Sequence, residues 1–391
     1  MPVRRVLHVI PSVGHLRGGP SLMVRTIARG LTDAGVESDI ATTDDNGAGR
    51  SEVDYGVPVR SEGITSWYFP RQLQFYTVSL PLGQWLSKHS GDYDLVHIHA
   101  LFSYSSAAAA IAASRSHTPY IVRPLGTLNR WGMRNRRPRL KELSFRFIES
   151  RILENAALIH FTSEQERQEA SELGVCGSSA IIPNPIPIEE NHSLVRGAFR
   201  SRYPELHDRT IVLFLSRFDR KKGLDLLIPA FARARRQCPR STLVLAGDGD
   251  PALVSSLQSE IHRLGLGQNV LWTGFLTGDD KRAALADADL FVLPSYSENF
   301  GIAAVEAMNA GLPVIVSDQT GIHREITQAE AGLTVPCDAG ALADAIVHLL
   351  SDPGKRDAMG RNGRDLARQH FSMKAVVRST IDAYEQIVSH R

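Results

Sequence analysis

Two successive α/β units, each built on a parallel sheet, are what the sequence predicts. Three observations carry that reading. The chain has 391 residues, more than one hydrophobic core usually covers. Short apolar runs alternate with helix-periodic segments through both halves, the pattern of parallel strands covered on both faces by helices. A proline-rich stretch near the middle, Ile182-Pro183-Asn184-Pro185-Ile186-Pro187, is stiff and extended and continues neither a helix nor a central strand. It sets the expected boundaries: a first domain over 1–187, a second over 188–371 and a terminal segment over 372–391.

In the first half the predicted strands are Val6–Ile10, Ser38–Thr42, Leu95–His99, Tyr120–Arg123 and Leu158–Thr162. Helical patterns lie between them at Ser21–Ala34, Thr77–Lys88 and Ser103–Ser114. The second half repeats the arrangement, with strands at Ile211–Leu215, Thr242–Ala246, Val270–Trp272, Leu290–Leu293, Val314–Ser317 and Leu333–Val335. Ser372 to Arg391 reads as one amphipathic terminal helix.

An apolar fraction of 43% and a charged fraction of 22% belong to an ordinary globular protein, and a net charge of +2 neither requires nor excludes an anionic partner. Cys176, Cys238 and Cys337 are far apart and form no CxxC pair, which fits a reducing compartment better than a disulfide framework or a zinc site. No apolar stretch approaches the roughly 18 residues of a membrane-spanning helix. The apolar part of the N-terminus is too short for a signal peptide. The expected location is the cytoplasm, at most peripheral to the inner face of the membrane.

Ser297-Glu298-Asn299-Phe300-Gly301-Ile302-Ala303-Ala304-Val305-Glu306 is the most telling segment. A buried strand ends at Pro294, a loop follows, and Ile302 to Asn309 is rich in helix formers. Glu298 therefore sits on a loop at the carboxyl edge of a sheet, where ligands of open α/β folds bind, and Glu306 sits about a turn inside the next helix. The helix N-terminus favours an anion there. Two carboxylates beside an anion site suggest a ligand that is part phosphate and part polyhydroxylated ring.

Three further segments bear on the same edge. Gly18-Gly19-Pro20-Ser21 follows the first strand where a helix begins; it is neither GxGxxG nor GxxxxGK[ST], and reads as a phosphate approach or as a tight turn before an N-cap. Arg217 and Lys222, five apart in Ser216-Arg217-Phe218-Asp219-Arg220-Lys221-Lys222-Gly223, can converge on a diphosphate or form a solvated basic loop. His97 and His99 share one face of a strand, as satisfied core groups or, for His99 at the strand end, as a donor to a sugar hydroxyl. As metal ligands they lack a third partner at recognisable spacing, so no metal site is expected. Between Arg130 and Arg151, eight basic and two acidic residues interleave with aromatic and aliphatic ones. That is a solvated helix face or an attachment to anionic lipid. No signature of nucleic-acid binding accompanies it.

Together these residues resemble the retaining glycosyltransferases of family 4 over nearly the whole chain. The most specific part is Ser297 to Glu325, an EX7E element followed by Ala310-Gly311-Leu312-Pro313-Val314-Ile315 and a later Glu325. Arg217 and Lys222-Gly223 are similar to the family's diphosphate loop, Gly247 to its glycine turn, and Gly18-Gly19 to the loop over the donor phosphates. His97-Ile98-His99 is similar to the HxH element, whose second histidine lies near the transferred sugar and acceptor. Arg123-Pro124-Leu125-Gly126-Thr127-Leu128 is similar to a further N-domain element and puts Arg123 and Gly126 on the acceptor side, with Pro124 where the family usually has Gly.

The resemblance implies a GT-B fold of two facing Rossmann-like domains, with the terminal helix packing back on the first. It implies transfer of a sugar from a UDP- or GDP-linked donor to a glycan or polyprenyl-linked glycan, in bacterial polysaccharide biosynthesis. It also implies roles. Glu306 holds ribose hydroxyls and Glu298 the sugar. Backbone N–H groups of Asn299, Phe300 and Gly301 hold sugar hydroxyls, and Phe275 lies near the base. Arg217 and Lys222 neutralise the leaving diphosphate, which makes a divalent metal or other cofactor unnecessary. Trp67-Tyr68-Phe69 and 130–151 suggest an acceptor at a membrane surface. A nucleotide-sugar epimerase of the same fold, needing no acceptor, and a non-catalytic sugar-binding protein are the competing readings.

Overall fold

The computed structural model describes residues 2–14, 19–47, 49–129, 132–133, 138–188 and 196–389. The chain forms two compact units, Met1–Pro185 with Met373–Arg391, and Ile186–Ser372.

The first unit holds β1 (Arg5–Ser12), β2 (Glu37–Thr43), β3 (Asp45–Asn46), β4 (Gly49–Arg50), β5 (Pro58–Ser61), β6 (Ile64–Phe69), β7 (Leu95–His99), β8 (Tyr120–Arg123), β9 (Leu158–Phe161) and β10 (Ser179–Ile181). Eight of these make one sheet in the order β10-β9-β8-β7-β1-β2-β6-β5, while β3 and β4 pair as a small ribbon. Every pairing in the large sheet is parallel except β5 with β6. The strand order reverses between β1 and β7, so the ligand-binding crevice of such a sheet lies at the carboxyl ends of those two strands.

The second unit holds β11 (Thr210–Leu215), β12 (Ser241–Ala246), β13 (Val270–Gly274), β14 (Leu290–Leu293), β15 (Val314–Ser317) and β16 (Gly332–Val335). Its order is β13-β12-β11-β14-β15-β16, all parallel, with the switch between β11 and β14. Ile211 to Phe214, Leu243 to Leu245 and Leu290 to Val292 are wholly buried, as strands covered on both faces must be. The terminal helix, Met373–Ser389, packs Val377 and Tyr384 into a core with Val6, Ile27, Leu31, Leu95 and Ile121 of the first unit.

Most predicted elements recur within a residue or two at each end. The helix expected from Thr77 begins instead at Leu80, because Ser79 caps it by accepting from the Leu82 N–H, and Pro81 suits the first turn. Trp67-Tyr68-Phe69 is not an exposed aromatic run. It ends β6, where Tyr68 and Phe69 are buried and Trp67 packs on Trp85 at 5.1 Å. β5 and β10 escaped the sequence reading because they are short edge strands without an apolar pattern.

Candidate functional site

In the second unit the chain leaves β14 through Pro294 and enters the helix Ile302–Asn309 at Gly301, whose φ of 97° suits glycine. The loop between is rigidly held. The Glu298 N–H donates to the Gln319 carbonyl at 3.0 Å, and the Gly321 N–H donates to the Glu298 carbonyl at 2.8 Å. Ser317 Oγ donates to the Ser295 carbonyl at 2.5 Å. The Glu298 carboxylate thus projects from a fixed backbone and pairs with Lys222 Nζ.

Lys222 is equally constrained. It ends a 3-10 turn, Arg220–Lys222, that Asp219 caps by accepting from the Lys221 N–H at 3.0 Å. Gly223 follows at φ 70°, and a Cβ there would overlap the Pro294 carbonyl oxygen. The Tyr296 N–H donates to the Lys221 carbonyl at 2.7 Å, so the loops after β11 and β14 are stitched together. Burial, and then the adjacent Lys222 charge, hold the Lys221 ammonium below its usual range.

The remaining donor-side residues lie around this pair. Gly247 follows β12 so closely that a Cβ would overlap the Ser216 carbonyl oxygen, and the Phe218 N–H donates to the Asp248 carbonyl at 2.7 Å. Arg217, on the loop so fixed, is exposed and has no acidic partner among the described residues. Phe275 is 69% exposed. Phe300 turns its ring inward against Phe371 (5.6 Å, edge-on), while its N–H and that of Gly301 find no partner among the described residues. Asn299 is half-buried beside them. Glu306 pairs with Lys281 Nζ at 2.7 Å. Lys281 was missed in the sequence: it lies on another helix, Gly278–Asp287, 25 positions earlier, and no local pattern links it to Glu306. Gly18 lies outside the described residues, and Gly19 opens the helix Gly19–Asp33.

In the first unit the expected acceptor-side residues lie in a buried polar layer. His8 pairs in register with His97, and His99 with Arg123, so strand alternation puts all four on the sheet face beneath the terminal helix. His160 of β9 joins them, and all five are wholly or almost wholly buried. His8 Nδ1 lies 3.0 Å from His99 Nε2, and His97 Nε2 lies 3.3 Å from His160 Nδ1. His97 Nδ1 lies 2.7 Å from the Tyr384 hydroxyl, and His160 Nε2 lies 2.7 Å from the Ile182 carbonyl oxygen. Burial keeps these imidazoles neutral: His8 is pushed down to about 3, and His97, His99 and His160 fall well below their ordinary value. The nearby Arg123 charge acts in the same direction on all four. Arg123 itself falls to about 10 through burial, offset in part by Glu166. It donates through Nη2 to Asn184 Oδ1. Gly126 has φ 71° and its N–H donates to Glu166 Oε1 at 2.5 Å. Ala100, Phe102 and Leu125, just past β7 and β8, also take positive φ, a strain that gathers at ligand sites.

The third partner that His97 and His99 lack by spacing along the chain is supplied by the fold. His8, from another strand, brings its ring within the same 4.8 Å set, a grouping that could hold a metal ion. Four of its six nitrogens are already engaged, however: both of His97 are in hydrogen bonds, and His8 Nδ1 and His99 Nε2 bond each other, while His8 Nε2 and His99 Nδ1 have no partner among the described residues. A guanidinium alongside also disfavours a cation.

Residues 18–185 match the family model described as "Glycosyl transferase 4-like domain", and residues 195–366 match "Glycosyl transferases group 1". The D-inositol 3-phosphate glycosyltransferase of Jonesia denitrificans is 28% identical over 94% of this chain and 91% of its own. Sucrose-phosphate synthase from Thermosynechococcus elongatus is similar in structure, with a TM-score of 0.78 and 25% identity, over 99% of this chain and all of that one. HepE from Anabaena, solved with UDP and glucose, has a TM-score of 0.76 and 21% identity over 98% of this chain and all of that one. No helix among the described residues is long and apolar enough to cross a membrane.

Proposed function

We propose, from the premise that the chain belongs to the glycosyltransferases of family 4 type with the GT-B fold, that its second unit binds a nucleotide-diphosphate sugar and that its first unit receives the acceptor. The observation that carries the reading is the Lys222–Glu298 pair. It is locked beside the open Phe300 and Gly301 N–H groups at the carboxyl edge of the second sheet, with Glu306, on the helix that follows, paired to Lys281 of the preceding helix.

In this reading Glu306 accepts from ribose hydroxyls and Glu298 faces the sugar. The donor's diphosphate draws Lys222 and Arg217 to itself, releasing the Glu298 carboxylate to stabilise positive charge growing at the anomeric carbon. The bond from the anomeric carbon to the diphosphate oxygen breaks, the acceptor hydroxyl attacks from the same face, and the leaving phosphate takes its proton. Configuration is retained, and two cations placed by rigid loops meet the charge a divalent metal would otherwise meet. A glycosidase-like double displacement fits poorly, since a carboxylate that holds the ribose cannot flank the scissile bond.

A uridine nucleotide is the favoured donor, supported by the fold shared with HepE in its UDP complex. Thermal melting with UDP, GDP and ADP and their glucose and mannose conjugates tests it. A nucleotide at 100 times its Kd stabilises by about 2.7 kcal/mol, so one base series should raise the Tm clearly above the others. Equal, negligible shifts across the panel would count against a nucleotide-sugar site.

The acceptor we favour is a glycan or polyprenyl-linked glycan presented at an anionic membrane on the cytoplasmic side. Supporting this, Leu140, Leu143, Phe147 and Ile148 are all exposed on the helical stretch 138–154, alongside Arg139, Lys141, Arg146 and Arg151. Each basic side chain near such a surface contributes about 1 kcal/mol. The protein should co-sediment with vesicles rich in phosphatidylglycerol at low salt, and a Leu143→Glu, Phe147→Glu variant should remain in the supernatant. A wild type that stays in the supernatant as well would sink the proposal.

A further inference from the structure

The hydrogen bonds of the buried polar layer have a direction, and one carbonyl sets it. The Ile182 carbonyl oxygen can only accept, so His160 Nε2 carries the hydrogen. His160 is held neutral, which leaves its Nδ1 bare and makes His97 Nε2 the donor towards it. His97 is neutral too, so its Nδ1 is bare and accepts from the Tyr384 hydroxyl. Donation thus runs one way, from the terminal helix through His97 and His160 to the segment after β10.

We infer that Tyr384 is a positioning residue for the acceptor side of the reaction, acting through His97 on His99. The inference rests on the reading of His99 as a group beside the transferred sugar. Both His97 nitrogens are engaged, so its ring can neither turn nor change tautomer without leaving a buried group unpaired. The His99 ring lies against it, with centroids 4.2 Å apart, and is held on its other side by His8 through Nε2. His99 Nδ1 is buried and has no partner among the described residues, so it is the one ring atom of His99 still able to take up a hydrogen bond. Tyr384 is 287 positions from His97 and 1% exposed. Packing alone would be served there by phenylalanine; the hydroxyl serves the bond.

The experiment compares Tyr384→Phe, Val377→Ala and His99→Ala in the full chain. Val377 lies on the same helix and in the same apolar cluster but has no side-chain hydrogen-bonding group, so its truncation reports packing alone. Two readouts are taken: side-chain 15N spectra of the histidines, and nucleoside diphosphate release from the nucleotide sugar that stabilises the wild type most. Tyr384→Phe should move the His97 and His99 ring signals and lower turnover on the order of tenfold, the scale of a small misplacement, with the donor-induced Tm shift unchanged. Val377→Ala should melt lower yet keep its turnover and ring signals. The inference is overturned if Tyr384→Phe keeps wild-type signals and turnover, or if Val377→Ala loses as much turnover. It falls equally if wild-type spectra show the opposite tautomers, or if elemental analysis finds a metal bound to the three histidines. If His99→Ala keeps full turnover, the reading of His99 itself has failed, and the inference goes with it.

Discussion

Glu298→Ala should lower kcat by about two to three orders of magnitude, the cost of losing one preorganised charge at a reacting centre. The geometry makes the expectation specific. Glu298 is carried by a backbone hydrogen-bonded on both sides to the 319–321 turn, so truncation removes the carboxylate without loosening the loop. It also frees Lys222, its ion-pair partner, to meet the donor diphosphate. Donor affinity should therefore hold or rise while kcat collapses, the signature of an interaction made mainly in the transition state. Glu306→Ala should behave differently. Its partner is Lys281, on a separate helix, and its loss should raise the donor KM with a smaller effect on kcat. Initial-rate kinetics on both variants decide the matter: small and equal losses in kcat/KM would remove both assignments.

Acid should unfold the first unit well before the second. His8, His97, His99 and His160 are buried and neutral, and each is depressed from its ordinary value, His8 to about 3. A depressed histidine costs the folded state nothing while it is unprotonated in both states. Below about pH 6.5 the unfolded chain takes up protons that the folded chain refuses, and stability falls by up to about 1.4 kcal/mol per pH unit for each group. The loss continues down towards the folded values. Four such groups acting together erode an ordinary domain stability of about 5–15 kcal/mol as the pH falls below about 6.5. The second unit has no wholly buried histidine among its described residues and lacks this liability. Calorimetry from pH 8 to pH 5 should therefore show one transition moving steeply down and another lagging behind. A single transition with a flat pH dependence would contradict it.

How far the sequence disclosed all this depends on distance along the chain. Leu290–Leu293, its loop and Ile302–Asn309 were legible because a β-branched and aromatic run, a proline and a block of helix formers are local signals. The belonging of Glu298 and Glu306 to one loop–helix unit was legible for the same reason. The Lys222–Glu298 pair spans 76 positions, and only the expectation that both loops leave the carboxyl edge of one sheet hinted at it. Nothing local announced Lys281. The polar layer was the most hidden: β1 and β9 each contribute one histidine and β7 two to the same face, and only the strand order brings them together. His8 and His160 read singly as ordinary strand residues. Edge strands without alternation, such as Pro58–Ser61, were lost because the sheet recruits them through backbone pairing rather than side-chain pattern.

The terminal helix also dictates an order of assembly during synthesis. The first unit's sheet is complete once Ile181 has been made, yet Val377 and Tyr384 belong to its core. Until residue 384 leaves the ribosome, that core keeps an open apolar face and His97 Nδ1 lacks its Tyr384 partner, while the whole of Ile186–Ser372 is translated and free to fold. Of the two units, the one that begins first is thus finished second. A ribosome stalled between Ser372 and Tyr384 would hold a foldable second unit tethered to a first unit whose apolar core is still open.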